Sequence, residues 1–195
     1  MKRLALALIP ALLPSVAFAH VGLGDAHDLT HGIAHPFSGL DHILAMVAVG
    51  LFAAHLGGRA LWLVPLSFIT LMIAGGVAGA AGVPLPYTET GIALSVVVLG
   101  LAVAFRLNMP TIAAMALAGF FAIFHGHAHG AEMPESVQGL TYGIGFVVAT
   151  AALHGIGIAL GLGINHLSET YHRRIAQVGG GAMALVGLLL ASHVI

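Results

Sequence analysis

The 195-residue chain is 59% hydrophobic and 7% charged, with six Lys and Arg against seven Asp and Glu and a mean hydropathy of +1.04. Soluble domains carry about 25% charged residues, so this chain cannot cover a water-facing surface and reads as an integral membrane protein. Its few basic residues exclude a nucleic-acid footprint, no GxxxxGK[ST] suggests ATP hydrolysis, and the absence of cysteine removes disulfides and thiolate ligands together. Against this poverty of charge stand 13 histidines.

The chain opens with "MKRLALALIPALLPSVAFAH". Lys2 and Arg3 form a basic start, Leu4 to Leu13 an apolar core, and Ala17-Phe18-Ala19 an A-x-A cleavage site, the pattern of a secretory signal peptide over residues 1–19. The alternative is an uncleaved first membrane helix, against which stand Pro10, Pro14 and the shortness of the apolar core. Cleavage exposes a new amino terminus at His20, whose amine and imidazole form an accessory candidate ligand pair. Residues 20–36 then read as a periplasmic N-terminal segment and 37–195 as the membrane domain.

A spanning helix needs about 20 mostly apolar residues, and six stretches qualify: Phe37–Leu56, Ala60–Ala81, Glu89–Phe105, Pro110–Gly126, Leu140–Ile164 and Ile175–Val194. The expected fold is an all-α bundle of six transmembrane helices. With the mature terminus outside, the inner loops carry Arg59, Arg106, Arg173 and Arg174, while the outer segments carry Asp25, Asp28, Glu89, Glu132 and Glu135 without any Lys or Arg. This satisfies the positive-inside rule at every loop and places both mature termini on the periplasmic side. Glycine clusters inside the spans in "AGGVAGAAG", "HGIGIALGLG" and "VGGGAMALVG", where small residues let helix backbones approach closely.

The chemistry gathers at two places. In "DAHDLTHGIAHPFSGLDH", His27, His31 and His35 recur every four residues and His42 follows seven later, spacings that share one helical face. Pro36 makes a helix begin near His35 rather than run through it, which groups His35, Asp41 and His42 at the mouth of the first span. In "FHGHAHGAEMPE", His125, His129 and Glu132 share one face at the outer end of the fourth span, while His127 points elsewhere. Two imidazoles and a carboxylate in reach of one point suit a divalent metal. A charge within an apolar run costs several kcal/mol unless paired or metal-bound, so Asp41 and His42 call for a partner. The metal candidates are His35, Asp41, His42, His125, His129 and Glu132, with His20, His31, Glu89, His127 and His154 as further candidates. His154 lies mid-span in "ALHGIG", either as a relay ligand or as a hydrogen-bond partner of a neighbouring helix.

At these residues the sequence resembles the HupE/UreJ family of nickel and cobalt permeases, accessory to hydrogenase and urease. The first family motif, HPxxGxDH, is matched by His35, Pro36, Gly39, Asp41 and His42; the second, FHGHAHGxE, by the run from Phe124 to Gly130 and by Glu132. The signal peptide and six spans agree as well, so the likeness covers the whole chain. It implies a secondary permease for Ni²⁺ or Co²⁺ in a bacterial inner membrane, with no catalytic role and no catalytic cofactor. Its implied partners are the metal ion, the lipid bilayer and cytoplasmic metallochaperones. His35, Asp41, His42, His129 and Glu132 are then the metal-handling residues. Nitrogen and oxygen donors without sulfur disfavour Cu(I) and suit Ni²⁺, Co²⁺ or Zn²⁺. The competing readings are a membrane-embedded metal hydrolase, with Asp41 or Glu132 as general base, and a metal sensor that transports nothing.

Overall fold

Each apolar stretch folds as one long helix in the computed structural model, which describes residues 29–133 and 137–192. A short helix α1 (Leu29–Ala34) and a 3₁₀ turn (His35–Phe37) precede α2 (Leu40–Leu56), α3 (Ala60–Ala80), α4 (Thr88–Ala104), α5 (Thr111–Ala131), α6 (Val137–Asn165) and α7 (Glu169–Ala191). The predicted leader 1–19, His20, His27, Asp25, Asp28, Glu135 and His193 lie outside the described residues. Four helices, α3, α5, α6 and α7, are long and apolar enough to cross a bilayer, and α1 with α2 makes a fifth when that pair, bent by 81°, counts as one span. The 17-residue α4 is apolar but shorter, about 26 Å at 1.5 Å per residue. It compensates by burial, since Ile92, Val96, Leu99, Ala102 and their neighbours face protein rather than lipid.

The surface is apolar and the interior holds the polar groups. Trp62, Val77, Ile112, Leu140 and Val178 point outward, as lipid-facing residues do. Without a hydrophobic force between helices in lipid, association rests on close packing, and glycine supplies it. A Cβ on Gly126 would stand 1.8 Å from the Met72 carbonyl oxygen, and one on Gly75 would stand 2.3 Å from that of Ile123, so α3 and α5 touch backbone to backbone. Gly50 and Gly157 join α2 to α6 in the same way, each 2.3 Å from a facing carbonyl, and Gly100 and Gly180 join α4 to α7. The expectation that these glycines serve packing holds for Gly75, Gly79, Gly157, Gly161, Gly180 and Gly187, whereas Gly82, Gly155, Gly163, Gly179 and Gly181 face open space. The helix α2 stands at the centre and touches every other long helix.

The packed body takes in Leu29–Ala34 ahead of the span predicted from Phe37. Helix α1 lies on α6, where Gly32 meets the Tyr142 carbonyl and Gly145 meets that of Leu29. The described part of the predicted outer segment is therefore built into the bundle. The loops carrying Arg59 and Arg106 and the α6–α7 connection share one end, where His55 Nε2 donates to the Arg106 carbonyl at 2.9 Å and the Arg106 guanidinium pairs with Glu169. His35, Glu89 and Glu132 lie at the other end. The predicted charge asymmetry between the two ends is thus present in the fold.

Candidate metal centre

Pro36 and Gly39 break the chain between α1 and α2. Ser38 turns back on the His35 carbonyl, its hydroxyl donating at 2.6 Å and its N–H at 2.9 Å, and Gly39 is extended with φ −96° and ψ 120°. The chain turns there, and His35 is left above the end of the bundle rather than in line with α2. On α5 the helical period sorts the second motif into faces. His125 and His129, four apart, look into the bundle, Gly126 and Gly130 lie against α3, and His127 is carried round to the far side. The repeat of small and imidazole residues thus packs a helix and presents candidate ligands at once.

The two motifs meet across 94 residues of chain. His35 Nε2 lies 3.2 Å from His129 Nδ1, and one ligand atom from each of His35, His129 and Glu132 falls within 4.8 Å of the others. A tetrahedral ion with bonds near ~2.1 Å needs donors roughly 3–3.5 Å apart, so the imidazole pair is already at coordinating distance and the carboxylate is a small movement away. Both rings are half-buried and Glu132 is exposed, which leaves the cluster open to water on one side. Tyr142 and Phe146 wall it, with Phe146 4.5 Å from the His129 ring and 4.9 Å from that of His42.

Below this cluster the imidazoles continue. The His42 ring is 5.5 Å from His129 and 5.3 Å from His125, and Phe68 lies against both His125 and His154, at 5.8 and 5.2 Å. His42 Nε2 lies 3.3 Å from the Thr150 hydroxyl, and His125 Nε2 lies 2.8 Å from that of Ser95. Among the described residues the buried polar side chains are His42, Ser95, His125, Thr150 and His154. All five belong to this one column, which begins at the mouth and runs into the bundle.

Other predicted residues go elsewhere. Asp41 is not part of the cluster of His35, His129 and Glu132. Its carboxylate accepts the His42 N–H at 2.7 Å and lines a cavity of about 180 Å³ with Glu89, Thr90 and Leu190. Asp41 and Glu89 thus share a separate pocket between α2, α4 and α7. His127 donates from Nε2 to the Val83 carbonyl at 2.6 Å, away from the column. His31 sits above His35, with rings 6.2 Å apart, and beside Tyr142 at 6.0 Å. Motif reading passes over Ser95, Thr150, Phe68 and Phe146. A signal for two of them was present, because Ser95 in "IALSVVVLG" and Thr150 in "FVVATAALHG" are isolated hydroxyls in otherwise apolar runs, and polar groups there need partners.

Fold and site define a multi-pass, all-helical membrane protein whose interior is lined by histidine. The family described as HupE / UreJ protein matches residues 6–190. Protein HupE of Rhizobium leguminosarum bv. viciae is 48% identical over 190 residues, 97% of each chain. The chain belongs to the HupE/UreJ family. No solved structure matches it.

Proposed function

We propose that the chain is a secondary permease that carries nickel, or cobalt, as the divalent ion across a bacterial inner membrane for hydrogenase or urease maturation. The observation that carries this reading is the buried polar column beginning at His35, His129 and Glu132. A sensor needs ligands at the surface only, whereas a permease needs polar groups continuing through the apolar interior. The cavity beside His129 measures about 60 Å³, far below the ~300–1,000 Å³ of pockets that take organic ligands, which disfavours a hydrolase acting on lipid or peptide. In this reading six helices span the membrane, the leader is cleaved, and the end bearing Glu132 faces the periplasm, a direction favoured by Arg59 and Arg106 in the connections and Arg173 and Arg174 in the first turns of α7 at the other end.

His35, His129 and Glu132 strip water from the ion and hold it at the mouth. His42 and His125 receive it next, and Asp41 with Glu89 adds negative potential at the same face without ligating. Release inside is completed by capture on metallochaperones. The metal is cargo, with no catalytic cofactor implied. Uptake of radioactive nickel into proteoliposomes tests the proposal. The intact protein accumulates the ion, and His129→Ala and Glu132→Gln reduce accumulation at least tenfold while inserting normally. If the intact protein binds nickel but none appears inside, nickel transport is refuted.

A further inference from the structure

Gly100 and Gly180 draw α7 onto α4, but among the described residues no such pair draws it onto α6, where Gly163 and Gly179 face open space. A cavity of about 170 Å³ remains at the arginine-bearing end, between α2, α4, α6 and α7. Its walls are apolar, formed by Val103, Leu160, Ile164, Ile175 and Met183. Leu160 and Ile175 are 51% and 41% exposed, so the cavity opens on the lipid-facing side of α6 and α7. An apolar hole near 150 Å³ stays dry and accepts an apolar guest, and in a bilayer the guest at hand is an acyl chain. Four polar side chains also line the cavity: His55, Arg106, Asn165 and His172. The chain leaves α4 at Arg106 with φ 50°, a conformation that residues other than glycine rarely adopt. His55 Nε2 donates to the Arg106 carbonyl, and the Arg106 N–H donates to the Val103 carbonyl at 3.1 Å, which hold that turn. The guanidinium pairs with Glu169 through Nη1, while its Nε is buried without a hydrogen-bond partner. A buried donor left unmade is costly, and the arginine fork matches phosphate oxygens.

We propose that this cavity is a lipid site, which seats one acyl chain of an anionic phospholipid and holds its headgroup phosphate on Arg106. Charge selects the occupant. Arg59, Arg173 and Arg174 gather with Arg106 at this end, and basic pockets between membrane helices recruit anionic headgroups. The acyl chain fills the gap that α7 leaves against α6, and the phosphate supplies the oxygen that Nε lacks. Glu169 competes with the phosphate for the same guanidinium. The site lies at the opposite end of the bundle from His35, His129 and Glu132, and it stands whether or not the chain carries metal.

Native mass spectrometry of the full-length protein tests this, after release from nanodiscs of phosphatidylglycerol and phosphatidylcholine in equal parts with identical acyl chains. The intact chain retains one phospholipid and favours phosphatidylglycerol about fivefold, the effect of one arginine near a bilayer surface. Gly179→Leu extends a side chain where a Cβ meets nothing within 4 Å; it loses the retained lipid and keeps its unfolding midpoint in detergent. Arg106→Gln retains lipid with the preference abolished. Glu169→Gln releases the guanidinium and strengthens the preference, a readout that holds even where Arg106→Gln fails to insert. Equal retention of the two lipids by the intact chain overturns the proposal. So does unchanged retention in Gly179→Leu, or unchanged preference in Arg106→Gln or Glu169→Gln. A lipid-free dimer of chains that Gly179→Leu dissociates overturns it as well, and gives the groove to a second copy.

Discussion

Gly126 places a backbone seam directly beside two candidate ligands, His125 and His129, and adding one methyl group there tests how the column is held. In Gly126→Ala the new Cβ stands 1.8 Å from the Met72 carbonyl oxygen, 2.7 Å from its carbon and 2.9 Å from the Gly76 nitrogen. All three atoms are backbone, so no rotamer change relieves the contact. Ordinary contact begins near 3.4 Å, so α5 must draw away from α3 by roughly 1.5 Å. Overpacking of this kind costs about 1–3 kcal/mol. His125 precedes the substituted residue and His129 follows it within a turn, so the ligands move with the helix, and a ~1 Å displacement at a functional site can cost about 100-fold. Gly126→Ala is expected to lower the unfolding midpoint in detergent and to reduce nickel uptake by one to two orders of magnitude. Gly155→Ala, beside His154, serves as the control, because nothing lies within 4 Å of its Cβ, and it is expected to change stability by less than about 1 kcal/mol. Wild-type melting and uptake in Gly126→Ala would refute the close-packed seam as the support of the site.

His127→Ala leaves nickel uptake near wild type while His129→Ala abolishes it, although the two residues stand in one motif; a comparable loss in both would refute the division of α5 into faces. Asp41→Asn leaves equilibrium metal affinity at the mouth within roughly threefold, as for changes that touch no ligand, because its carboxylate lies in the pocket shared with Glu89; isothermal titration decides this. Imidazole binds metal only when neutral, and burial of His35 moves its titration below the ~6.5 of a free ring, so uptake at a fixed membrane potential is expected to hold from about pH 7.5 to 6.5 and to fall only at lower pH. A loss centred at about pH 6.5 or above counts against capture by the half-buried histidine pair.

Much of the fold was legible because lipid imposes a simple rule on length and polarity. Each apolar stretch became one helix, and Pro110 sits immediately before α5 as a helix start. The helical period alone placed His125 with His129 and turned His127 away. What the sequence could not yield were distances between segments. The pairing of His35 with His129 depends on the bend at Ser38 and Gly39, whose angle is set by packing of α1 on α6. Asp41 was grouped with His35 because they are near in sequence, but α2 begins at Leu40 and its first turn rotates the carboxylate towards α4. Phe37 and Ser38 were assigned to the first span by hydropathy and instead belong to the turn. Ser95 and Thr150 contribute through single hydroxyls whose partners lie 30 and 108 residues away.

The glycine-joined helix pairs have a mechanical meaning. Direct backbone contact leaves no side chains to slide past one another, so α2 with α6, and α3 with α5, each move as one stiff plank. His42, Thr150 and His154 are mounted on the first plank, and Phe68, Met72, His125 and His129 on the second. The imidazole column is therefore the joint between two boards rather than a bore through either. In the permease proposed above, rocking one board against the other, the motion by which helical transporters alternate access, would spread the rings at one end of the joint as it closed them at the other, and an ion would change hands without any helix unwinding.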